Sequence, residues 1–402
     1  MHLDQTRRDP LAPGRDCQPR ARGAMLARMV LSPPELRRYS RHLKLADVGL
    51  AGQERLKAAR VLIVGAGGLG SAAALYLAAA GVGTLGLLDY DLVDESNLQR
   101  QLLYDSTCVG LPKTQSARAR LKALNPEIEV IAHQTELCAA NVRELFALYD
   151  VIIDGSDRMG TRYLVNDACV LYGKPLISAA VHRFEGQALT YVPGQGPCYR
   201  CLFAALPEGV VQNCADVGVL GVLPGVLGTL QATEAIKLIV GVGTPLIGRL
   251  LTYDALELRF SEFRFARRAD CAVCGEHPSI LEPADPPGFC TLEELEHVRG
   301  ISAAQLAQSL ASPAGPPHLV DVREPAEFVA GHLPGASNIP LGRIEELGAT
   351  LPRHDPVVFM CRSGARSLRA CALARRAGLE QPLQLEGGLL AWKAAVEPSL
   401  PL

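Results

Sequence analysis

The chain has 402 residues, enough for two or more domains that each bury their own core. Forty basic residues stand against 42 acidic ones, a net charge of −2, which excludes nucleic acid as a bulk electrostatic partner. The most apolar stretch, 217–230, is broken by Gly218, Gly221, Pro224, Gly225 and Gly228, which excludes a membrane-spanning helix. Residues 1–30 are rich in Arg and Pro and lack the apolar centre of a secretory signal, so a disordered tail is expected there. Met25 and Met29 offer alternative starts within it.

A helix is expected from Leu31 to Lys44, with Ser32 as its N-cap and Pro33 at its first position. The next stretch organises the chain. A β-branched run, Val61 to Val64, ends in Gly65-Ala66-Gly67-Gly68-Leu69-Gly70, followed by a helical segment from Ser71 to Ala80 that Gly81 closes. A second apolar run, Leu85 to Leu88, ends at Asp89, nineteen residues after Gly70. This strand–turn–helix–strand unit has G-x-G-x-x-G in its turn and an acid at the end of the second strand. The glycines let backbone approach a nucleotide, the helix N-terminus offers N–H groups to phosphate, and Asp89 suits ribose hydroxyls. By itself the unit would fit a dinucleotide oxidoreductase.

Downstream, Thr114 to Leu124 reads as a helix behind Lys113, and Val130 to His133 as a strand. Val151-Ile152-Ile153-Asp154 is a further strand, running into Gly155-Ser156-Asp157, a carboxylate placed where a parallel sheet holds its ligands. A helix is expected around Tyr163 to Cys169, with Cys169 in the core, and a strand from Lys174 to Ser178. Of twelve cysteines, four form Cys198-x-x-Cys201 and Cys271-x-x-Cys274, about seventy residues apart. Two such pairs supply four thiolates for a structural zinc in a reducing, cytoplasmic compartment, whereas one pair alone would also suit redox chemistry. A loop is expected at 206–212, next to Cys214, and a helix at 230–240 with Ala232, Ala235, Ile236 and Ile239 on its apolar face. Residues 276–298 carry Pro278, Pro283, Pro286 and Pro287 and read as an extended linker.

The remaining residues, 299–398, change character. Ile301 to Ser309 reads as a helix and His318 to Asp321 as a strand. Val357 to Met360 reads as a strand ending at Cys361-Arg362-Ser363-Gly364-Ala365-Arg366, with a helix starting near Ser367. A cysteine in such a loop faces backbone N–H groups and a helix dipole, and Arg362 and Arg366 add positive charge, which favours a thiolate or persulfide anion. A phosphatase cradle, C-x5-R, is the rival, but here only four residues separate Cys361 from Arg366, which favours sulfur over the larger phosphate.

Several motifs carry a family resemblance. Arg38-Tyr-Ser-Arg41, the glycine turn, Asp89-Tyr-Asp91 with Ser96-Asn97-Leu98-Gln99-Arg100-Gln101, Lys113, Asp157, Phe184-Glu-Gly-Gln187 and the cysteine pairs resemble the E1-like adenylyltransferases of molybdopterin and thiamine synthesis. Glu324-Pro-Ala-Glu-Phe328, Gly331-His332-Leu333-Pro334-Gly335-Ala336, the Cys361 loop and Glu386-Gly-Gly-x-x-Ala-Trp392 resemble the rhodanese domain. The first resemblance implies a Rossmann-like α/β adenylation domain over residues 31–275 that binds ATP with Mg²⁺, followed by the linker and a small α/β rhodanese domain. It also implies a ubiquitin-like sulfur-carrier protein ending in Gly-Gly as partner, and a homodimer. Gly65, Gly67, Gly68, Gly70, Asp89, Ser96 to Arg100, Lys113, Asp157 and Arg158 are the implied ATP-site residues, with Arg41 reaching a neighbouring subunit's phosphates. Asp157 would sit near Mg²⁺ and the α-phosphate. Cys361 would carry a persulfide from a cysteine desulfurase or thiosulfate, and Cys214 would take part in transfer to the carrier. The family's Asn after the aspartate is replaced by Arg158, a longer cation that either fills part of the site or adds a phosphate contact. A sulfur relay with adenylation disabled by Arg158 is thus one alternative, and the oxidoreductase, opposed by the Ser96–Arg100 motif, is the other.

Overall fold

The computed structural model describes residues 31–205, 218–285 and 294–401, apart from 296, 313–314 and 353–355. The expected tail at 1–30, the loop at 206–212 and Cys214 lie outside the described residues.

Eight strands form the first sheet, in the order β3-β2-β1-β4-β5-β6-β7-β8. β1 (Arg60–Val64), β2 (Thr84–Leu88), β3 (Glu129–His133), β4 (Val151–Asp154) and β5 (Leu176–His182) run parallel. β6 (Glu185–Tyr191), β7 (Arg249–Asp254) and β8 (Arg259–Arg264) continue it antiparallel. β1, β2 and β4 read as near-continuous apolar runs because helices cover both faces of a parallel sheet. Leu62, Ile63, Ile152 and Ile153 are fully buried. β1 lies between β2 and β4, so the chain turns opposite ways from its two edges and opens a crevice beyond their C-terminal ends.

That crevice depends on two glycine turns in contact. A Cβ on Gly70 would lie 1.9 Å from the Gly65 carbonyl oxygen, and one on Gly65 would lie 2.9 Å from the Gly155 carbonyl oxygen. The helix Gly68–Ala80 starts inside the glycine motif, three residues earlier than expected, and ends at Gly81 in the left-handed conformation. The N-terminal segment splits into two short helices, Pro33–Arg38 and Ser40–Leu43; Ser32 caps the first in a box with Glu35.

The helix expected at 230–240 extends from Val222 to Val240. Pro224 fits its first turn, where an N–H has no intrahelical acceptor to lose. Gly228 lets it cross the helix Gly68–Ala80 closely, since a Cβ there would lie 2.3 Å from the Leu69 carbonyl oxygen. Gly228 therefore serves helix packing, and no described helix is long and apolar enough to cross a membrane. After the cysteine pairs, 276–285 lies along the first unit: Ser279 and Ile280 N–H groups donate to Ala272, and Asp285 accepts from the Ala139 N–H.

A second, parallel sheet has the order β11-β10-β12-β13-β9. It comprises β9 (Arg299–Ile301), β10 (His318–Asp321), β11 (Ser337–Asn338), β12 (Val357–Met360) and β13 (Pro382–Leu385). The helix expected from Ile301 begins instead at Ala303, because Ile301 pairs with Leu385 in the sheet and Ser302 caps Ala303–Leu310 in a box with Gln305.

Gly70→Ala should lower stability by about 1–3 kcal/mol, the usual cost of overpacking. Gly225→Ala, in the same long helix but with nothing within 4 Å of its added Cβ, should raise it by about 0.5–1 kcal/mol. Opposite displacements of the urea midpoint are the expected readout.

Candidate active site

The crevice at β1 and β4 is a cleft lined by Gly65, Gly67, Gly68, Asp89, Arg100, Lys113, Asp157 and Arg158. Asp89 ends β2 and accepts the N–H groups of Ala66 (2.8 Å) and Asp91 (2.9 Å), pinning the glycine turn to the second strand. Burial pushes its carboxyl up to about 6, against the pull of Lys113. Lys113 is itself buried, which disfavours its charge, but Asp89 and Asp91 outweigh this and raise its pKa; its ammonium lies 2.8 Å from Asp91. A cation is thereby held ready inside an apolar-walled cleft.

Asp157 is carried on a turn with a charged foundation. Asp154 is fully buried, and its carboxylate accepts from Ser156 N–H and Oγ, Ser178 Oγ and Arg162 Nε at 2.6–3.1 Å. Arg162 also donates to the Ser156 and Ala179 carbonyls. The Asp154 carboxylate and the Ser156 carbonyl are thus occupied, and Asp157 is left exposed between two clefts. The second cleft is larger, about 510 Å³ against about 120 Å³; it shares Leu69, Ser156, Asp157 and Val181 with the first and runs out over β6, β7 and β8.

Not every expected residue lies on the cleft. Ser96 and Asn97 form a 3₁₀ turn capped by Asp94, with the Ser96 hydroxyl donating to Asp94 at 2.6 Å and the Asn97 side chain closing a capping box. Leu98 packs on the core and Gln99 lies against Gly221, so these four hold the loop that presents Arg100 and Gln101. Arg41 is exposed on the helix Ser40–Leu43 and does not line its own chain's cleft. Arg158 does line it, but its guanidinium is turned to the rim, 2.5 Å from Glu136 and 3.4 Å from the Tyr90 hydroxyl. Tyr90, Glu136 and Arg162 were not legible in the sequence; Arg162, four residues after Arg158 on a helix, had only its spacing as a signal.

Cys198, Cys201, Cys271 and Cys274 place their sulfurs within 4.8 Å of one another, with Cys198–Cys271 at 3.7 Å and Cys201–Cys274 at 3.4 Å. Four sulfurs about 2.3 Å from one zinc would be separated by about 3.8 Å, so the donor set fits a tetrahedral zinc. Burial and then repulsion from the other three push the Cys198 thiol far up, a crowding that a divalent cation would reverse. Asn166 and Asp167 anchor this clasp by accepting the Tyr199 N–H and the Arg200 guanidinium.

In the second unit, Cys361 is buried at the end of β12, where its sulfur accepts the N–H groups of Gly364 (3.1 Å) and Ser367 (3.4 Å). The helix Ala365–Arg376 starts two residues earlier than expected and aims its N-terminus at that sulfur. The helix Gly388–Ala395 donates to the Cys361 and Arg362 carbonyls through Leu389 and Leu390. Ser363 and Ala365 complete the loop. The charge expected from Arg366 is largely spent, because Glu327 takes both its terminal nitrogens at 2.7 Å. Arg362 in turn lies 3.7 Å from Asp94, so backbone dipoles supply most of the positive field.

The fold and site define a nucleotide-binding α/β unit with a four-cysteine clasp, joined to a unit that presents a cysteine on a strand-to-helix loop. Residues 39–273 match the ThiF family and 302–395 the rhodanese-like domain. The probable adenylyltransferase/sulfurtransferase MoeZ of Mycobacterium tuberculosis is 43% identical over 92% of this chain and 96% of its own. The adenylyltransferase and sulfurtransferase MOCS3 of Sus scrofa is 42% identical over 92% and 88%. Among solved structures, E. coli MccB with ATP superposes with a TM-score of 0.51 at 26% identity, over 59% of this chain and 73% of that one. The chain belongs to the ThiF family and carries a rhodanese-like domain at its C-terminal side.

Arg162→Ala would leave Asp154 as a buried, unpaired carboxylate. A loss of about 3–5 kcal/mol in urea unfolding is expected, well beyond a surface ion pair.

Proposed function

We propose that this protein adenylates the C-terminal glycine of a ubiquitin-like sulfur-carrier protein and then replaces the adenylate with sulfur from a persulfide on Cys361. The product is a carrier thiocarboxylate for molybdopterin or a related sulfur-containing cofactor. The observation that carries this reading is the presence in one chain of a switch-point nucleotide cleft and a cysteine loop built to stabilise anionic sulfur.

In the first stage a carrier carboxylate oxygen attacks the α-phosphorus of ATP and pyrophosphate leaves. The glycine turn and the N-terminus of Gly68–Ala80 receive phosphate, Arg100 and Lys113 offset its charge, and Asp89 orients ribose. Magnesium, when bound, neutralises phosphate charge, and Asp157 is the carboxylate positioned to hold it. The larger cleft over β6 to β8 admits the carrier's extended C-terminal tail, and the exposed Leu256, Leu258, Phe260 and Phe263 beside it suit a protein partner.

In the second stage the outer sulfur of a Cys361 persulfide, supplied by a cysteine desulfurase or thiosulfate, attacks the acyl carbon and AMP leaves. A thiolate then attacks the Cys361 sulfur of the acyl disulfide and the thiocarboxylate departs. Cys214 is our candidate thiolate; the disulfide it would form with Cys361 must be reduced by an external dithiol. The Arg158 guanidinium is engaged by Glu136, and the cleft it lines with Asp89, Lys113 and Asp157 remains a cavity, which favours a working adenylation site over a disabled relay. Zinc on the four cysteines is structural, with no open position. The exposed Arg41 fits a homodimer in which it serves the neighbour's phosphates, and a four-thiolate zinc site fits a reducing, cytoplasmic compartment.

Intact-mass spectra of candidate carriers incubated with Mg-ATP and thiosulfate or a persulfide donor should show one carrier exchanging oxygen for sulfur. Cys361→Ser should stop at the acyl-adenylate, and Asp157→Ala should form neither species. Full-rate thiocarboxylate from Cys361→Ser would refute the second stage.

Zinc should be found at one atom per chain by elemental analysis. Cys271→Ser should lose it and melt roughly 5–10 °C lower.

A further inference from the structure

The two units of the chain touch at the rim of the nucleotide cleft through a compact set of charges. Glu136 lies between two guanidiniums: Oε1 meets Arg158, and Oε2 meets Arg369 of the helix Ala365–Arg376 that follows the Cys361 loop. The Arg369 guanidinium also stacks 4.8 Å over the ring of Tyr90, whose hydroxyl accepts from Arg158. Tyr90, Glu136 and Arg158 all line the nucleotide cleft. Arg362, the residue after Cys361, lies 3.7 Å from Asp94, which caps the turn carrying the Ser96–Arg100 motif. Arg369 is only 9% exposed and Glu136 is mostly covered, so these charges are screened far less than surface pairs. A buried charge with two specific partners, one ionic and one aromatic, defines an orientation.

We propose that Arg369 is a positioning residue for sulfur transfer: with Glu136, Tyr90 and Arg158 it registers the Cys361 loop over the nucleotide cleft of its own chain. The persulfide then meets the acyl-adenylate formed in that same chain. This rests on the functional reading above and adds to it the route of the sulfur and the residues that set it. The distance between sulfur and acyl carbon is the variable controlled, since Arg369 is on the helix whose N-terminus holds the Cys361 sulfur. Arg158, which departs from the family pattern, ties this contact to the nucleotide pocket.

The test uses the full-length chain with Arg369→Glu, Arg369→Gln and Arg369→Lys. Four quantities are followed: carrier-dependent ATP–pyrophosphate exchange, thiosulfate–cyanide sulfur transfer, thiocarboxylate formation, and hydrogen exchange of 89–97 and 361–369. Arg369→Glu and Arg369→Gln should slow thiocarboxylate formation roughly 10- to 100-fold, the scale of a small misplacement of reacting groups. Both half-reactions should persist, amide exchange should rise in both segments, and Arg369→Lys should recover much of the rate. Mixing an Asp157→Ala chain with a Cys361→Ser chain should restore little activity. Unchanged thiocarboxylate formation and unchanged exchange in Arg369→Glu would overturn the proposal, as would full recovery in the mixture. Loss of both half-reactions in the Glu and Gln variants alike would make Arg369 a folding residue and overturn it too. A wild-type chain that makes no acyl-adenylate would refute the functional reading itself, whereas the exchange data report the docking independently of it.

Discussion

The contact between two glycine-bearing turns governs the first unit. Gly65, Gly70 and Gly155 bring the ends of β1 and β4 so close that even one methyl group would collide with a carbonyl oxygen. Without that approach the helix Gly68–Ala80 could not aim its free N–H groups into the crevice, and Asp89 could not bind the Ala66 amide. The cleft is therefore a product of backbone packing first and of side-chain chemistry second. Its polar residues were added around an opening that the strand order had already made.

Each sheet ends one strand on a buried acid paired with a buried arginine. β4 ends at Asp154 and β10 at Asp321, each fully buried and each paired with a buried arginine, Arg162 and Arg323. In the first unit the pair holds the turn that exposes Asp157. In the second, Arg323 also donates to the Gly331 carbonyl and braces the segment beside Glu327, the residue that occupies Arg366. A buried ion pair contributes little net stability, but breaking it is costly, so it limits the conformations a loop can adopt. Rigid support of this kind suits the turn that must present the Asp157 carboxylate at a defined point.

The field at the two reactive groups is composed differently. In the nucleotide cleft a side-chain cation joins the N–H groups of the helix Gly68–Ala80: buried Lys113 keeps its proton because Asp89 and Asp91 face it. At Cys361 it comes mainly from backbone amides and a helix terminus, with one nearby arginine neutralised by Glu327. The rim charges Arg158, Glu136 and Arg369 belong to neither field alone and lie where the two units meet.

By itself the sequence determined the local elements and the residues that chemistry concentrates in short motifs. The strand–turn–helix at Val61 to Gly81, β12 with its Cys361 loop, the Ser32 cap and the two cysteine pairs were legible because each rests on spacing within a few residues or on a ligand count. The length of the helix Val222–Val240 was misjudged because Pro and Gly break isolated helices; here the first turn tolerates the proline and a neighbouring helix requires the glycine. Ser96 to Gln99 were legible as a motif, but not as a capped turn standing behind the cleft. Tertiary structure alone decided which charges meet: that Glu327 would take Arg366, that Glu136 would take Arg158, and that Arg369 would cross from one unit to the other. The partners in these pairs lie between 22 and 233 residues apart. No periodicity or local propensity reaches that far, because a side chain's electrostatic partner is set by where the whole chain folds it.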